Sequence, residues 1–359
     1  MSKLKLLLVG ASGYIGGSIL TSLVEANKDT HSFTISALIR DASHADTLKK
    51  LGVEAFIFKG LDDTVYLEKV SQDFDIVVNA ASGWHTEAAL AMIQGLGARK
   101  KSLGTEVHYL HISGTSNLTD RPHSVGYVET RTFSDEEDIY SYEKYRESFE
   151  VYPQRRNDIV VADAGEELQV RTYVIMAPIV HGIGTGPWNK VTFILNPRVD
   201  AAIVYGDWAV IGDGKTVWSH VHVQDLAAFY VVLLNHISSG HTGMAYGKKG
   251  IYFCESGQAS HMQRTRDLAD IGQRLGITTS NTVSSIGLEE AAQRWTGGLV
   301  PLAETSSGAN SRSSAVMARK LGWVPQHGTD WTLDLEQSMA MYQKTASFKE
   351  LWAKHRKTK

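Results

Sequence analysis

Gly10-Ala11-Ser12-Gly13-Tyr14-Ile15-Gly16 follows the run Leu4-Lys5-Leu6-Leu7-Leu8-Val9. The run reads as a short buried strand. Ile15, Ile19, Leu20, Leu23 and Val24 then recur at the spacing of one helix face. Strand, glycine turn and helix, in that order, form the context in which a glycine motif carries meaning. Glycine lets the backbone turn tightly and approach a pyrophosphate, and the free N–H groups at the helix start face its negative charge. The glycines are spaced GxxGxxG rather than GxGxxG. A turn that needs glycine only for packing is the rival reading; the strand in front favours a dinucleotide site with Gly10, Ser12, Gly13, Tyr14 and Ile15 around it.

Working outward, 359 residues leave room for a large α/β core in one domain or two lobes. A 43% hydrophobic and 21% charged composition is that of a globular protein, not a disordered one. The net charge of −3, with no basic block, gives no electrostatic case for nucleic acid. A single cysteine, Cys254, excludes an internal disulfide and suits a reducing compartment. No apolar run approaches the roughly 18 residues needed to cross a bilayer. The N-terminal run is too short for a signal peptide and is interrupted by Gly10. The expectation is a cytoplasmic protein without a membrane segment.

Strand and helix patterns alternate from there. Residues 33–39 read as a second strand with Arg40 at its end. A carboxylate there would hold a ribose 2′-hydroxyl, whereas an arginine accommodates a 2′-phosphate, so NADP (NADPH) is the expected cofactor, with Asp41 as the neighbour that opposes it. Residues 54–58 form a third strand, followed by Gly60-Leu61-Asp62-Asp63 and a short helix. Residues 75–79 form a fourth, and Ala80 and Ala81 behind it are small enough for a cofactor to lie against the sheet edge. A helix over 86–99 follows despite Gly95 and Gly97. The alternation predicts an α/β fold with a doubly wound parallel sheet. Residues 107–113 form a fifth strand and deliver Ser113-Gly114-Thr115-Ser116 to the carboxyl edge, where ligands collect in such folds.

Ser134-Asp135-Glu136-Glu137 is a capping box that should start a helix. On that helix Tyr140 and Lys144 are four residues apart and share a face. An ammonium beside a phenol favours phenolate, lowering its pKa and fitting it for proton transfer. Tyr140 is the only one of 14 tyrosines with lysine at i+4; Tyr142, with Arg146, is a poorer rival. A helix over 158–168 and a sixth strand over 170–176 follow, then the glycine-rich stretch Gly182–Trp188, read as a boundary between lobes. Further on come a strand at 251–254, helices at 261–275, 288–295, 314–321 and 332–342, and a basic end from Trp352 read as a solvated tail.

The wording GASGYIGG at residues 10–17 resembles the extended short-chain dehydrogenase/reductase family, the NAD(P)-dependent epimerase/dehydratase-like proteins. So do Val221-His222-Val223-Gln224-Asp225-Leu226-Ala227 and Leu321-Gly322-Trp323 with Pro325. The likeness runs from residue 4 to about 342. It implies a Rossmann-type cofactor domain over 1–178 and 219–255, and a smaller, mostly helical substrate lobe over 179–218 and 256–359. It casts Tyr140 as proton donor, 27 residues after Ser113, and Lys144 as its partner and the holder of the nicotinamide ribose. Ser113 or Thr115 would polarise the substrate oxygen, because the usual hydroxyl position is Gly114. Asp62 matches the aspartate that accepts from the adenine amino group, with a plain helix cap as the equal alternative. Pro178 opens the segment that contacts nicotinamide, and His181 stands where tyrosine is more usual.

Trp218 and Ser219 occupy the neighbourhood of the arginine that grips the diphosphate in nucleotide-sugar enzymes, which argues against such a substrate. His220 and His222 point to one side of a strand, but no third ligand is near in sequence, so no metal is expected. The expected activity is NADPH-dependent reduction of a carbonyl on a small, fairly apolar substrate, an oxidoreductase acting on CH–OH/C=O. The alternatives are an epimerase or dehydratase with tightly bound NAD(P), or a non-catalytic dinucleotide sensor. Relatives often pair through the YxxxK helix, so a homodimer is compatible with this reading.

Overall fold

The computed structural model describes residues 3–241, 243–328 and 331–356. Alternation of apolar strands and amphipathic helices builds the first half. In order these are β1 (Leu4–Val9), α1 (Tyr14–Thr30), β2 (Phe33–Ile39), α2 (Ala45–Lys50), β3 (Glu54–Ile57), α3 (Thr64–Ser71), β4 (Ile76–Asn79), α4 (Thr86–Leu103) and β5 (His108–Gly114). After a long connection come β6 (Phe133–Ser134), α5 (Ile139–Glu147), α6 (Pro153–Glu167), β7 (Arg171–Ala177) and β8 (Ile179–His181). The second half contains α7 (Asn196–Tyr205), β9 (Trp208–Ile211), β10 (Val217–His222), α8 (Val223–Ser238), β11 (Ile251–Phe253), β12 (Gly257–Ser260), α9 (His261–Arg274) and β13 (Val283–Ile286). It ends with α10 (Leu288–Trp295), α11 (Val300–Ser307), β14 (Ser313–Ser314), α12 (Val316–Lys320), α13 (Thr332–Tyr342) and α14 (Ala346–Arg356).

The main sheet has seven parallel strands in the order β11-β7-β5-β4-β1-β2-β3. Chain order reverses between β1 and β4, so the crevice of this doubly wound sheet opens above Val9 and its register partner Asn79. Leu6, Leu7, Leu8 and Val9 are fully buried, as are Ile76, Val77 and Val78. Continuous rather than alternating burial is what helices on both faces impose. The expected α/β doubly wound fold is therefore the observed one. β10 joins β8 and β12 in a separate three-stranded sheet, and β13 pairs with β9. Around these lie the helices of the C-terminal part, with a second core of Val199, Trp208, Leu268, Ile271, Met339 and Tyr342.

Three local expectations are corrected. Ser134 and Glu137 close a turn of their own, the Ser134 N–H donating to Glu137 Oε1 at 2.8 Å, and α5 begins only at Ile139. Asp138 is its cap, accepting from the Ser141 N–H at 3.0 Å. The next helix starts at Pro153, which fits the first turn because that position needs no N–H donor. The basic end is not wholly solvated: Trp352, within α14, packs on the second core, while Ala353 and Lys354 are exposed. Its residues 357–359 lie outside the described residues.

Candidate cofactor and active site

The glycine turn has the shape a pyrophosphate needs. Gly10 sits at φ +95°, and a Cβ there would stand 2.6 Å from the Ala81 nitrogen, so only glycine lets β1 end against the Ala80–Ala81 backbone. A Cβ on Gly16 would run into the Gly10 carbonyl, so glycine also sets how closely α1 approaches the turn. The Gly13 N–H donates to Gly10 O at 2.9 Å, and Gly13 caps α1 with extended backbone. No side chain bonds to the cap and no acidic residue lies in the first turn of this 17-residue helix. The amide groups that most helices satisfy with Ser or Asp thus have no side-chain partner here, and the dipole favours an anion. Ser12, Gly13 and Ile15 are half-buried around this opening. Tyr14 is different: its buried hydroxyl donates to Gly182 O at 2.8 Å and ties the turn to the chain after β8.

That same stretch lies along α1. The hydroxyls of Thr21 and Thr185 are 2.5 Å apart, and Trp188 lies tilted against His44 with ring centroids 4.3 Å apart. Arg40, four residues before His44, is exposed at the end of β2 and has no ion-pair partner among the described residues. Asp41 does not oppose it by pairing: its carboxylate accepts from the Ser43 N–H at 2.9 Å, and this bonding to Ser43 holds it below the usual carboxylate range. Asp62 is fully exposed and 3.0 Å from His85 Nε2; the cap of α3 is Asp63 instead. Ala80 and Ala81 line the crevice beside Gly10, while Pro178 is buried between β7 and β8.

The structure does not bring Tyr140 and Lys144 to the hydroxyls of β5. α6 leads into β7 by a short loop and runs opposite to the strands, so its first turns lie at the carboxyl edge and its last turns at the amino edge. Tyr140 Oη donates to Asp163 at 2.5 Å, in the last turns, and Lys248, just ahead of β11, lies 5.3 Å from its ring. Lys144 is exposed and 5.6 Å from the same ring. The expected lowering of the phenol is overturned. Burial, then the Asp163 carboxylate, pushes the Tyr140 hydroxyl well up.

At the carboxyl edge the side chains are others. Ser113 Oγ donates to Asp158 Oδ2 at 2.5 Å, and Asn117 Nδ2 donates to the same oxygen at 2.7 Å and to Glu143 Oε1 at 2.9 Å. Asp158 and Glu143 are wholly buried, and burial raises both carboxyls strongly. Two acids side by side in such a site disfavour each other's ionisation. Thr115 is buried too. The hydroxyls nearer the surface are ones sequence reading passed over: Ser116, which donates to Gln154 Oε1 at 2.6 Å, and Tyr152 at the cap of α6. Tyr152 meets Trp84 edge to face with centroids 5.1 Å apart. Burial raises its phenol, and the Ser116 hydroxyl beside it works the other way. The one signal in the sequence is Tyr152 with Arg156 at i+4, a spacing that Tyr127 with Arg131 and Tyr142 with Arg146 share.

The fold also gathers histidines that are far apart in the chain. His220 Nδ1 is 3.2 Å from His181 Nε2, His222 stacks on His327 at 3.6 Å, and Asp334 Oδ2 lies 3.0 Å from His181 Nδ1. The third and fourth histidines missing from the sequence neighbourhood are thus present in space. Among the described residues no His, Cys, Asp or Glu group has the geometry to hold a metal.

No family model matches the chain. Oxidase ucsJ of Acremonium sp is 28% identical over 337 residues, covering 89% of this chain and 92% of that protein. A UDP-glucuronic acid 4-epimerase from Bacillus cereus, solved with UDP-glucuronic acid and NAD, superposes with a TM-score of 0.60 at 14% identity, covering 95% of this chain and 100% of its own. A dTDP-glucose 4,6-dehydratase from Streptomyces venezuelae, solved with NAD, gives a TM-score of 0.62 at 14% identity over 96% of this chain and 99% of its own. The likeness in the motifs therefore extends to the architecture: this chain has the Rossmann-type fold of these NAD-bound epimerase and dehydratase structures.

Proposed function

We propose that this chain is an NADPH-dependent oxidoreductase that reduces a carbonyl group of a small substrate at the carboxyl edge of its sheet. The observation that carries the reading is the glycine turn: Gly10 pressed against Ala80–Ala81 and a long helix whose first amides no side chain satisfies. Exposed Arg40 at the end of β2 supports the 2′-phosphorylated cofactor, since a guanidinium binds phosphate through paired, charge-assisted hydrogen bonds. The nicotinamide would supply hydride; everything else falls to side chains. Tyr152, with Ser116 beside it, is the proton donor in this reading, because both sit at the edge where the crevice opens. Ser113 stays bonded to Asp158 and positions that edge from below. Tyr140 and Lys144 are left outside the reaction, as Tyr140 is committed to Asp163.

The oxidase in the name of the Acremonium relative supports net redox chemistry. The epimerase and dehydratase among the fold neighbours favour a second reading, in which hydride leaves and returns within one cycle. The two are told apart by stoichiometry. The purified protein is mixed with NADPH and a panel of aldehydes and ketones while cofactor absorbance is followed. Net loss of NADPH with an equal amount of alcohol formed supports the first. Product formed with cofactor still bound and unconsumed assigns the second. Binding of neither NADPH nor NADH would sink both.

A further inference from the structure

Glu143 on α5 and Asp158 on α6 are joined by one side chain, Asn117, in the turn that follows β5. Its Nδ2 donates to Glu143 Oε1 at 2.9 Å and to Asp158 Oδ2 at 2.7 Å, so both carboxyls close on a single amide nitrogen. Both acids are wholly buried. The second oxygen of each, Glu143 Oε2 and Asp158 Oδ1, has no hydrogen-bond donor among the described residues. Two carboxylates buried in this way would be costly, because nothing replaces the water those oxygens lost.

The titratable neighbours supply no donor to those oxygens. From β5, His111 Nε2 lies 3.7 Å from Asp158 Oδ1, too far for a hydrogen bond. Burial lowers this imidazole to about 3 and keeps it neutral, and burial keeps the Tyr109 phenol on the same strand neutral too. From α6, the Arg155 charge acts on Glu143, but its N–H groups go to the Asn117 and Glu150 carbonyls and to Glu147.

A proton fills the gap. The two carboxyls lie within hydrogen-bond reach of each other. Protonated, one acid turns its free oxygen into a donor, and the free oxygen of the other accepts. Asp158 Oδ2 already takes two donors, Ser113 Oγ at 2.5 Å and Asn117 Nδ2, whereas Glu143 Oε1 takes one. Hydrogen bonds to the charged form favour it, which leaves the proton to Glu143.

We propose that Glu143 and Asp158 share a single proton at neutral pH, Glu143 as O–H donor and Asp158 as ionised acceptor, and that this proton holds α5, α6 and the turn after β5 together. Removing it with base leaves two like charges around Asn117 and pushes the three elements apart. The same turn carries Ser116, so the pair is an alkali-sensitive fastening beneath the carboxyl edge. It requires neither a bound cofactor nor the reaction proposed above. Above the ordinary carboxyl value of 4.5 the folded chain keeps this proton and the unfolded chain does not. Its contribution to stability is therefore full below that value and falls as pH rises.

Infrared difference spectra of the full chain at neutral pH test the pair. Parent minus Glu143→Gln and parent minus Asp158→Asn should each show the carbonyl band of one protonated carboxylic acid. The double variant should lose no more of the band than either single one. Asp135, Asp200 and Glu255, acids that burial also raises, are common to all and cancel. Absence of the band from either difference, or twice the loss in the double variant, would overturn the proposal. Urea unfolding from neutral to alkaline pH, above the window of His220 and His222, is the second measurement. While the fold keeps the proton, the parent's unfolding constant should rise about tenfold more per pH unit than that of either variant. Equal slopes would overturn the proposal as well. Each amide keeps the shape of its acid; should one single variant not fold, the other carries the band and the slope.

Discussion

Two tyrosine-to-phenylalanine changes, compared side by side, decide which helix end carries the chemistry. Tyr140→Phe deletes a hydroxyl that donates to Asp163 at 2.5 Å, and the Asp163 side chain is 44% exposed. A hydrogen bond to a charged group is worth about 1.5–3 kcal/mol when buried; with solvent at the carboxylate, about 1 kcal/mol of stability is the expected loss. Turnover should stay within about twofold, since proton transfer is not its task. Tyr152→Phe keeps the ring edge against Trp84, so stability should change by less than about 1 kcal/mol. Its turnover should fall by on the order of 10²–10⁴, equivalent to about 3–5 kcal/mol of barrier. Urea unfolding gives the first quantity and steady-state NADPH oxidation, with a responsive carbonyl compound, gives the second. If Tyr140→Phe loses a hundredfold in turnover while Tyr152→Phe keeps it, the argument from the direction of α6 is wrong.

Arg40→Ala should weaken NADPH binding by about 2–3 kcal/mol and leave NADH nearly unchanged, as titration of the two cofactors would reveal; equal parental affinities would remove Arg40 from the site. Gly13→Val should abolish cofactor binding while thermal unfolding stays near parental. Gly13 has ordinary backbone angles, and the one atom a Cβ there would crowd is the Gly10 carbonyl oxygen, at 3.2 Å. Acid should destabilise the fold through the histidine group. Burial, with neighbouring histidines, lowers His220 and His222 from 6.5 to about 4, so the unfolded chain binds more protons as pH falls through that window and stability drops across it. His220→Asn should flatten that part of a denaturation-against-pH profile; an unchanged slope would mean the group does not control acid unfolding.

The frame was legible because it rests on local patterns. Leu4–Val9, residues 10–16 and the helix face from Ile15 to Val24 lie in one continuous stretch, and each successive strand repeated the alternation. The proposed reactive edge was not legible for a specific reason. The spacing of Tyr140 and Lys144 says that two side chains share a face of a helix, but not which end of the sheet that helix faces. That depends on α5 packing against α6, a contact between segments whose register no local pattern encodes. Asp158 and Glu143 illustrate the same limit. Each reads as an ordinary polar residue on an amphipathic helix, and only the approach of two helices to Asn117 buries them together. The histidines at 181, 220, 222 and 327 come from separate places in the chain, so proximity in sequence could not reveal them.

The contacts of Tyr14 with Gly182, Thr21 with Thr185 and His44 with Trp188 form a clasp between the first βαβ unit and the segment that enters the second lobe. A nucleotide seated on the glycine turn would lie beside this clasp, and its departure is then a matter of timing as well as of affinity. Whatever loosens Trp188 from His44 shortens the occupancy of the turn, and whatever fills the turn stiffens the passage into the second lobe. Where both effects are read as equilibrium binding free energies, linkage makes them equal. A residue that touches no reacting atom can thereby shift how tightly the nucleotide is held.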